Sequence, residues 1–224
     1  IPQLLAQRFA ASPLRRRTLV VAAFGAESTP GVYGKDYIYP QPSTLDYFAG
    51  KGMNIVRISV LWERLQHRLL GDLDNAELRR LDSVIAYAGA KGMRVIVDVH
   101  NYARYHGAVI GSTGLPGSAL GDLWRRLAER YKDDDAVIFG LMNEPNGLPT
   151  ETWLDAANAS IAAIRAAGAK NLILVPGNGW SSARDWEGGG YGTPNSSVML
   201  KVADPAGNFA FDVHQYFDSD FTGS

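Results

Sequence analysis

The sequence predicts an α/β fold of the (β/α)8 TIM-barrel type, with about six of the eight strands carried in its 224 residues. Three observations point there. First, a unit of helix, glycine and β-rich run recurs. Lys51-Gly52-Met53-Asn54-Ile55-Val56-Arg57 is echoed by Lys91-Gly92-Met93-Arg94-Val95-Ile96-Val97, and more loosely by Ala167-Gly168-Ala169-Lys170-Asn171-Leu172-Ile173-Leu174-Val175. Second, the β-rich runs are continuously apolar, as in strands buried on both faces of a parallel sheet. Third, no Gly-x-Gly-x-x-Gly turn follows the first run, which argues against a dinucleotide-binding fold.

The first strand is expected at Leu19–Phe24. It follows Arg15-Arg16-Arg17, a juxtaposition that imitates the charged and apolar regions of a signal peptide. The apolar stretch is short and the chain opens on Ile1 rather than Met, so a strand is the preferred reading. Further strands are expected near Ile55–Ser59, Val95–Val99, Val137–Met142, Leu172–Val175 and Phe209–Val213. Between them lie legible helices. Asp74 opens a capping-box-like Asp-Asn-Ala-Glu, after which Leu78, Leu81, Val84, Ile85 and Ala88 share one face. Thr150 is placed to cap a second helix carrying Trp153, Leu154, Ala157, Ile161 and Ile164 at the same period. Glycine after each helical pattern fits a left-handed C-cap feeding the next strand. Alternating strands and helices imply a parallel sheet. A closed barrel needs eight strands and typically ~250 residues, so residues 1–224 read as one barrel domain without strands 7 and 8.

Composition removes several classes of function. The chain is 46% hydrophobic and 20% charged with a formal net charge of −1, which disfavours nucleic acid or an anionic membrane as the main partner. No apolar run approaches the roughly 20 residues of a membrane span. With no cysteine, disulfides, thiolate zinc sites and thiol nucleophiles are all excluded. The four histidines are scattered without His-x-x-x-His spacing, and neither Gly-x-Ser-x-Gly nor a phosphate-binding Gly-x-x-x-x-Gly-Lys-Ser/Thr occurs. Neither metal nor cofactor is expected.

Chemistry in a parallel barrel sits at the C-terminal strand ends. Those ends read Arg57, then His100-Asn101-Tyr102, Asn143-Glu144, Gly177-Asn178-Gly179-Trp180 and His214-Gln215-Tyr216. Val137-Ile138-Phe139-Gly140-Leu141-Met142 runs directly into Asn143-Glu144-Pro145, and proline cannot extend the ladder. Glu144 is thus expected at a strand tip beside an apolar wall, which would raise its pKa towards that of a proton donor. Asp98-Val99-His100 and Asp212-Val213-His214 each set an Asp and a His on one face of a strand. Either Asp could orient its imidazole or pair with Arg57 in a core salt bridge, so neither joins the catalytic set. Trp62, Tyr102, Tyr105, Trp180, Trp186, Tyr191 and Tyr216 lie in the post-strand loops and offer flat faces to a sugar. Trp180 and Tyr216 are weighted most; Trp62 and Trp186 fit loop packing equally well.

Taken together, Asn54–Ser59, Val97–Arg104, Gly140–Pro145, Pro176–Trp180 and Phe211–Asp220 resemble glycoside hydrolase family 5, most closely its endoglucanase branch. The resemblance implies retaining hydrolysis of β-1,4-glucan in a (β/α)8 barrel. It makes Glu144 the acid/base and Asn143 the partner of the sugar 2-hydroxyl. Arg57, His100, His214 and Tyr216 become lining of the cleavage subsite, and Trp180 a stacking residue on the leaving-group side. Asn101 and Tyr102 are weaker substrate-binding candidates. The departure concerns the second carboxylate, which a retaining enzyme holds ~5–5.5 Å from the first. In the family it is a Glu ending the seventh strand, and nothing in this chain matches it. Glu63 and Glu187 lie in other loops, and Asp218 and Asp220 belong to the sixth-strand motif. The leading expectation is a secreted endoglucanase whose nucleophile lies outside this sequence. The alternatives are a non-catalytic glucan-binding or split-barrel chain, oligomeric through its open sheet edges, and a mannanase or xyloglucanase.

Overall fold

The computed structural model describes residues 19–22 (backbone only), 30–189 and 192–218. The Arg15–Arg17 segment, Phe24, Tyr191 and Asp220 lie outside the described residues.

Six strands form one parallel sheet in sequence order: β1 Leu19–Ala22, β2 Ile55–Val60, β3 Arg94–Val99, β4 Val137–Gly140, β5 Ile173–Pro176 and β6 Phe209–Asp212. The register runs Leu19↔Ile55, Ile55↔Arg94, Val95↔Val137, Phe139↔Ile173 and Ile173↔Phe209. The helices are α1 Pro42–Gly50, α2 Trp62–Leu65, α3 Asn75–Ala90, α4 Gly117–Tyr131, α5 Thr150–Ala166 and α6 Asn195–Val198. Arg104–Tyr105 and Ala108–Val109 add a small antiparallel hairpin after β3. This is the arrangement of a (β/α) barrel with six of its strands.

The glycine C-caps occur where the repeat places them: Gly52, Gly92 and Gly168 have φ of 80°, 72° and 87°. Asp74 caps α3 by accepting from Ala76 N and Glu77 N, and the predicted face of that helix is buried. Full burial of a leucine contributes about 1.5–3 kcal/mol, so this face is enough to fix α3 against the sheet. Thr150 differs from expectation. It is the first helical residue, after Pro149, and makes no cap hydrogen bond; its hydroxyl instead accepts from Asn178 Nδ2 at 3.3 Å.

Strand alternation sorts the barrel interior into layers. Ile55, Ile96 and Ile138 pack with Leu172 and Leu174 in a separate apolar cluster. Two residues further along, the same faces present Arg57 and Asp98. Gly140 shares that level on β4, where an added Cβ would approach Ile96 Cγ2 and Val97 O to 3.2 Å. The interior therefore turns from apolar to charged towards the C-terminal end of the sheet.

Two fully buried tryptophans fix the strand ends from outside. Trp124 Nε1 donates to Leu141 O at 3.0 Å, and Trp153 Nε1 donates to Pro176 O at 2.7 Å. β4 ends at Gly140 rather than Met142 although Leu141 N still donates to Leu174 O at 3.1 Å and both residues stay buried. The ladder partner of the Leu141 carbonyl would be Pro176, which has no N–H, and the Trp124 indole meets that carbonyl instead.

Candidate active site

Arg57 organises the site. Its Nη2 donates to Asp98 Oδ1 at 2.8 Å and to Asn143 Oδ1 at 2.9 Å, while Nη1 reaches Asp212 Oδ2 at 3.2 Å. One guanidinium thus ties the ends of β2, β3, β4 and β6 together. Burial works against its charge, but Asp98 and Asp212 outweigh that and raise its pKa. Asp98 is fully buried, which would favour its neutral form. Arg57 and His100 overcome this and hold its pKa at about 2.

His100 Nδ1 lies 2.8 Å from Asp98 Oδ2, and the Tyr102 hydroxyl lies 3.3 Å from His100 Nε2. Tyr102 stands edge-on to Trp180 with centroids 6.0 Å apart. Trp180 is 46% exposed, and its backbone N–H donates to Pro145 O at 3.0 Å, which anchors the residue beside the Asn143-Glu144-Pro145 turn.

Glu144 occupies a left-handed backbone position, φ 45°, a conformation that costs a non-glycine residue of order 1–3 kcal/mol. Tyr102, Ala103, His106, Trp180 and Ser181 share that region, so strained residues gather around one face. The Glu144 carboxylate is met by charged partners rather than by the apolar wall expected from its strand. His214 Nδ1 sits 2.6 Å from Glu144 Oε1, and His214 Nε2 sits 3.6 Å from Asp212 Oδ2. Burial opposes the imidazolium, yet the hydrogen bonds to Asp212 and Glu144 outweigh it and raise the His214 pKa to about 9.

Residues 18–224 match the cellulase family, glycosyl hydrolase family 5. The chain belongs to glycosyl hydrolase family 5. Among curated relatives, a probable endo-β-1,4-glucanase B of Aspergillus niger is 38% identical over 91% of this chain and 58% of its own length. A manganese-dependent endoglucanase of Phanerodontia chrysosporium is 36% identical over 88% of this chain and 51% of its own. The chain thus spans between one half and three fifths of the length of these relatives. Among solved structures, an endo-β-1,4-glucanase from Xanthomonas axonopodis pv. citri superimposes with a TM-score of 0.89 at 48% identity, covering 93% of this chain and 67% of its own. XacCel5A in complex with cellopentaose gives a TM-score of 0.89 at 47% identity, covering 93% and 68%.

Within this family 5 barrel, Arg57, His100, Asn143, Glu144 and His214 form one hydrogen-bonded cluster, with Tyr102 and Trp180 along its side. Tyr216 follows two residues past His214, 47% exposed and, among the described residues, outside that cluster. Asn101 is corrected: it is buried, accepts from Trp62 N at 2.7 Å and donates to Glu63 at 2.6 Å, so its amide faces the protein. Trp62, Tyr105 and Trp186 are buried packing residues. Glu63 lies in α2, buried rather than in an open loop, while Glu187 is exposed. Among the described residues no three His, Asp or Glu side chains are placed to hold a metal ion. Asp98 and Asp212, for which the repeated Asp-Val-His leaves open orienting an imidazole or pairing with Arg57 in a core salt bridge, do both.

Proposed function

We propose that this chain carries the acid/base side of a secreted, retaining endo-β-1,4-glucanase. The observation that carries the reading is Glu144 at the end of β4, with His214 Nδ1 2.6 Å from its carboxylate and the half-exposed Trp180 beside it. The neighbouring imidazole keeps a proton within reach of the carboxylate. In the first step Glu144 gives its proton to the glycosidic oxygen as the bond to the anomeric carbon breaks and a nucleophilic carboxylate attacks that carbon. In the second it takes a proton from water, whose oxygen displaces the carboxylate. Asn143 faces the sugar 2-hydroxyl, Arg57, His100, His214 and Tyr216 line the cleavage subsite, and Trp180 stacks on the leaving-group side. The family and the named activities of its relatives support β-1,4-glucan over mannan or xyloglucan.

The nucleophile belongs to a strand beyond β6, outside residues 1–224. Asp98 and Asp212 are engaged by Arg57, and Glu63 is buried beneath the β3 loop, which leaves them unsuited to attack. The coding sequence beyond Ser224 tests this: a further strand ending in Glu within about fifty residues is expected on barrel spacing. The chemical test is Glu144→Gln in the intact protein. Cellulose turnover should fall by ~10²–10⁴-fold, the usual contribution of general acid–base assistance. An aryl cellobioside with a good leaving group should lose far less, because it needs less protonation. Near-normal hydrolysis of cellulose by the variant would remove Glu144 from the role.

A further inference from the structure

The segment from His100 to His106 carries two site residues in an unfavourable backbone. Tyr102, Ala103 and His106 have φ of 52°, 61° and 45°, the left-handed region that disfavours side chains with a Cβ. Such a path persists only where surrounding contacts over-determine it. Tyr102 N donates to Asn143 O at 3.1 Å, which joins the segment to the turn bearing Glu144. On its other side, the segment closes onto α2 through Glu63.

The closure is a chain of hydrogen bonds with fixed polarity. Trp62 N–H donates to Asn101 Oδ1 at 2.7 Å, and Asn101 Nδ2 donates to Glu63 Oε2 at 2.6 Å. From the far end, His106 N–H donates to Glu63 Oε1 at 2.6 Å. Both ends are backbone donors and cannot be reversed. An amide such as Asn101 has one accepting and one donating end, so it passes polarity along. Two donors facing each other through one amide need a group that accepts from both, and the Glu63 carboxylate does so through its two separate oxygens with no N–H to set against either donor. Flipping Asn101 would set its NH2 against Trp62 N–H. Glu63 and Asn101 are 3% and 6% exposed, so water does not relieve a mismatch, and a buried donor without a partner is costly.

We infer that Glu63 is a positioning residue for the leaving-group side of the cleft: as the double acceptor that closes α2 onto the β3 loop, it holds Tyr102 against Trp180 and His100. The inference rests on the proposed glucanase activity for its substrate and on the hydrogen bonds alone for its physics.

The test is a polarity swap in the intact protein. Glu63→Gln leaves an amide where a double acceptor is needed, and Asn101→Asp sets two carboxylates together. The double variant moves the double acceptor one place along the hydrogen-bond chain. The new carboxylate at position 101 would accept from Trp62 N–H and from the NH2 of the new amide at position 63. The oxygen of that amide would accept from His106 N–H. Each single variant should lower kcat/KM for cellopentaose by about tenfold or more, chiefly through KM, and leave an aryl β-cellobioside within about threefold. The double variant should return cellopentaose to within about threefold of the parent. Amide exchange across residues 100–106 should rise about tenfold in each single variant and fall back in the double, with α3 unchanged. If a single variant fails to fold, recovery of folding in the double is the same expected rescue. A double variant no better than the singles, or a Glu63→Gln protein that matches the parent, overturns the inference. A parent inactive on both substrates overturns the glucanase reading instead, and the exchange measurement then decides the role of Glu63 by itself.

Discussion

Asp98-Val99-His100 and Asp212-Val213-His214 are the same tripeptide at the ends of two strands, yet they are built to opposite purposes. Asp98 is 0% exposed, grips Arg57 at 2.8 Å and takes His100 by Nδ1. Asp212 is 19% exposed, stands 3.2 Å from Arg57 and faces His214 through Nε2. The turned ring frees Nδ1 of His214 for Glu144, whereas Nε2 of His100 is left for the Tyr102 hydroxyl. Burial and ring orientation, rather than residue identity, make one motif a fixed anchor and the other a partner of the proposed acid. Arg57 is common to both, so the two halves are coupled through a single guanidinium.

The comparison breaks most severely if Arg57 is removed. Arg57→Met leaves Asp98 buried without its cation, and disrupting a buried pair in this way costs ~3–5 kcal/mol. Chemical denaturation should show that loss; a change below about 1 kcal/mol would mean that Arg57 does not hold the halves together. Asp98→Asn and Asp212→Asn sharpen the contrast. The first should destabilise the fold by more than the second, because the first amide removes a fully buried charge partner of Arg57 while the second is partly solvated. Equal losses in thermal melts of the two variants would erase the distinction.

The pH dependence of stability separates the halves again. The His214 pKa of about 9 lies above its ordinary 6.5, so its contribution is whole below about pH 6.5 and is lost as pH rises through 9. Asp98 works in the other direction. With a pKa of about 2 against the ordinary 3.8, its contribution is whole above about pH 4 and is lost as pH falls through 2. The stability gap between parent and His214→Asn should therefore narrow between about pH 6.5 and 9. A gap constant over that interval would show that the imidazole is not held charged. The smallest expected effect is at the edge of the site. Trp180→Ala removes a stacking face worth ~0.5–1.5 kcal/mol, roughly two- to tenfold in KM for cellopentaose, with stability unchanged. A large drop in melting temperature would instead assign Trp180 to packing.

Periodicity along the chain was sufficient to identify the six strands, the helix faces of α3 and α5 and the left-handed glycines, because each rests on local repetition that tertiary contacts reinforce. Strand ends were less legible. β4 stops short of Met142 where the facing ladder donor on β5 would be Pro176, and the Thr150 hydroxyl accepts from Asn178 rather than capping α5. Both features involve residues far apart in sequence.

The site divides along the same line. That Arg57, His100, Asn143, Glu144 and His214 gather at one end follows from sequence alone, since every parallel strand of a barrel delivers its C-terminal residue to the same face. Which of two identical Asp-Val-His tripeptides would be an anchor, that Asn101 would turn inward, and that Glu63 would lie buried as a double acceptor were decided only by the tertiary structure. Burial and hydrogen-bond polarity are properties of what surrounds a side chain, and the groups that surround these come from other strands and loops.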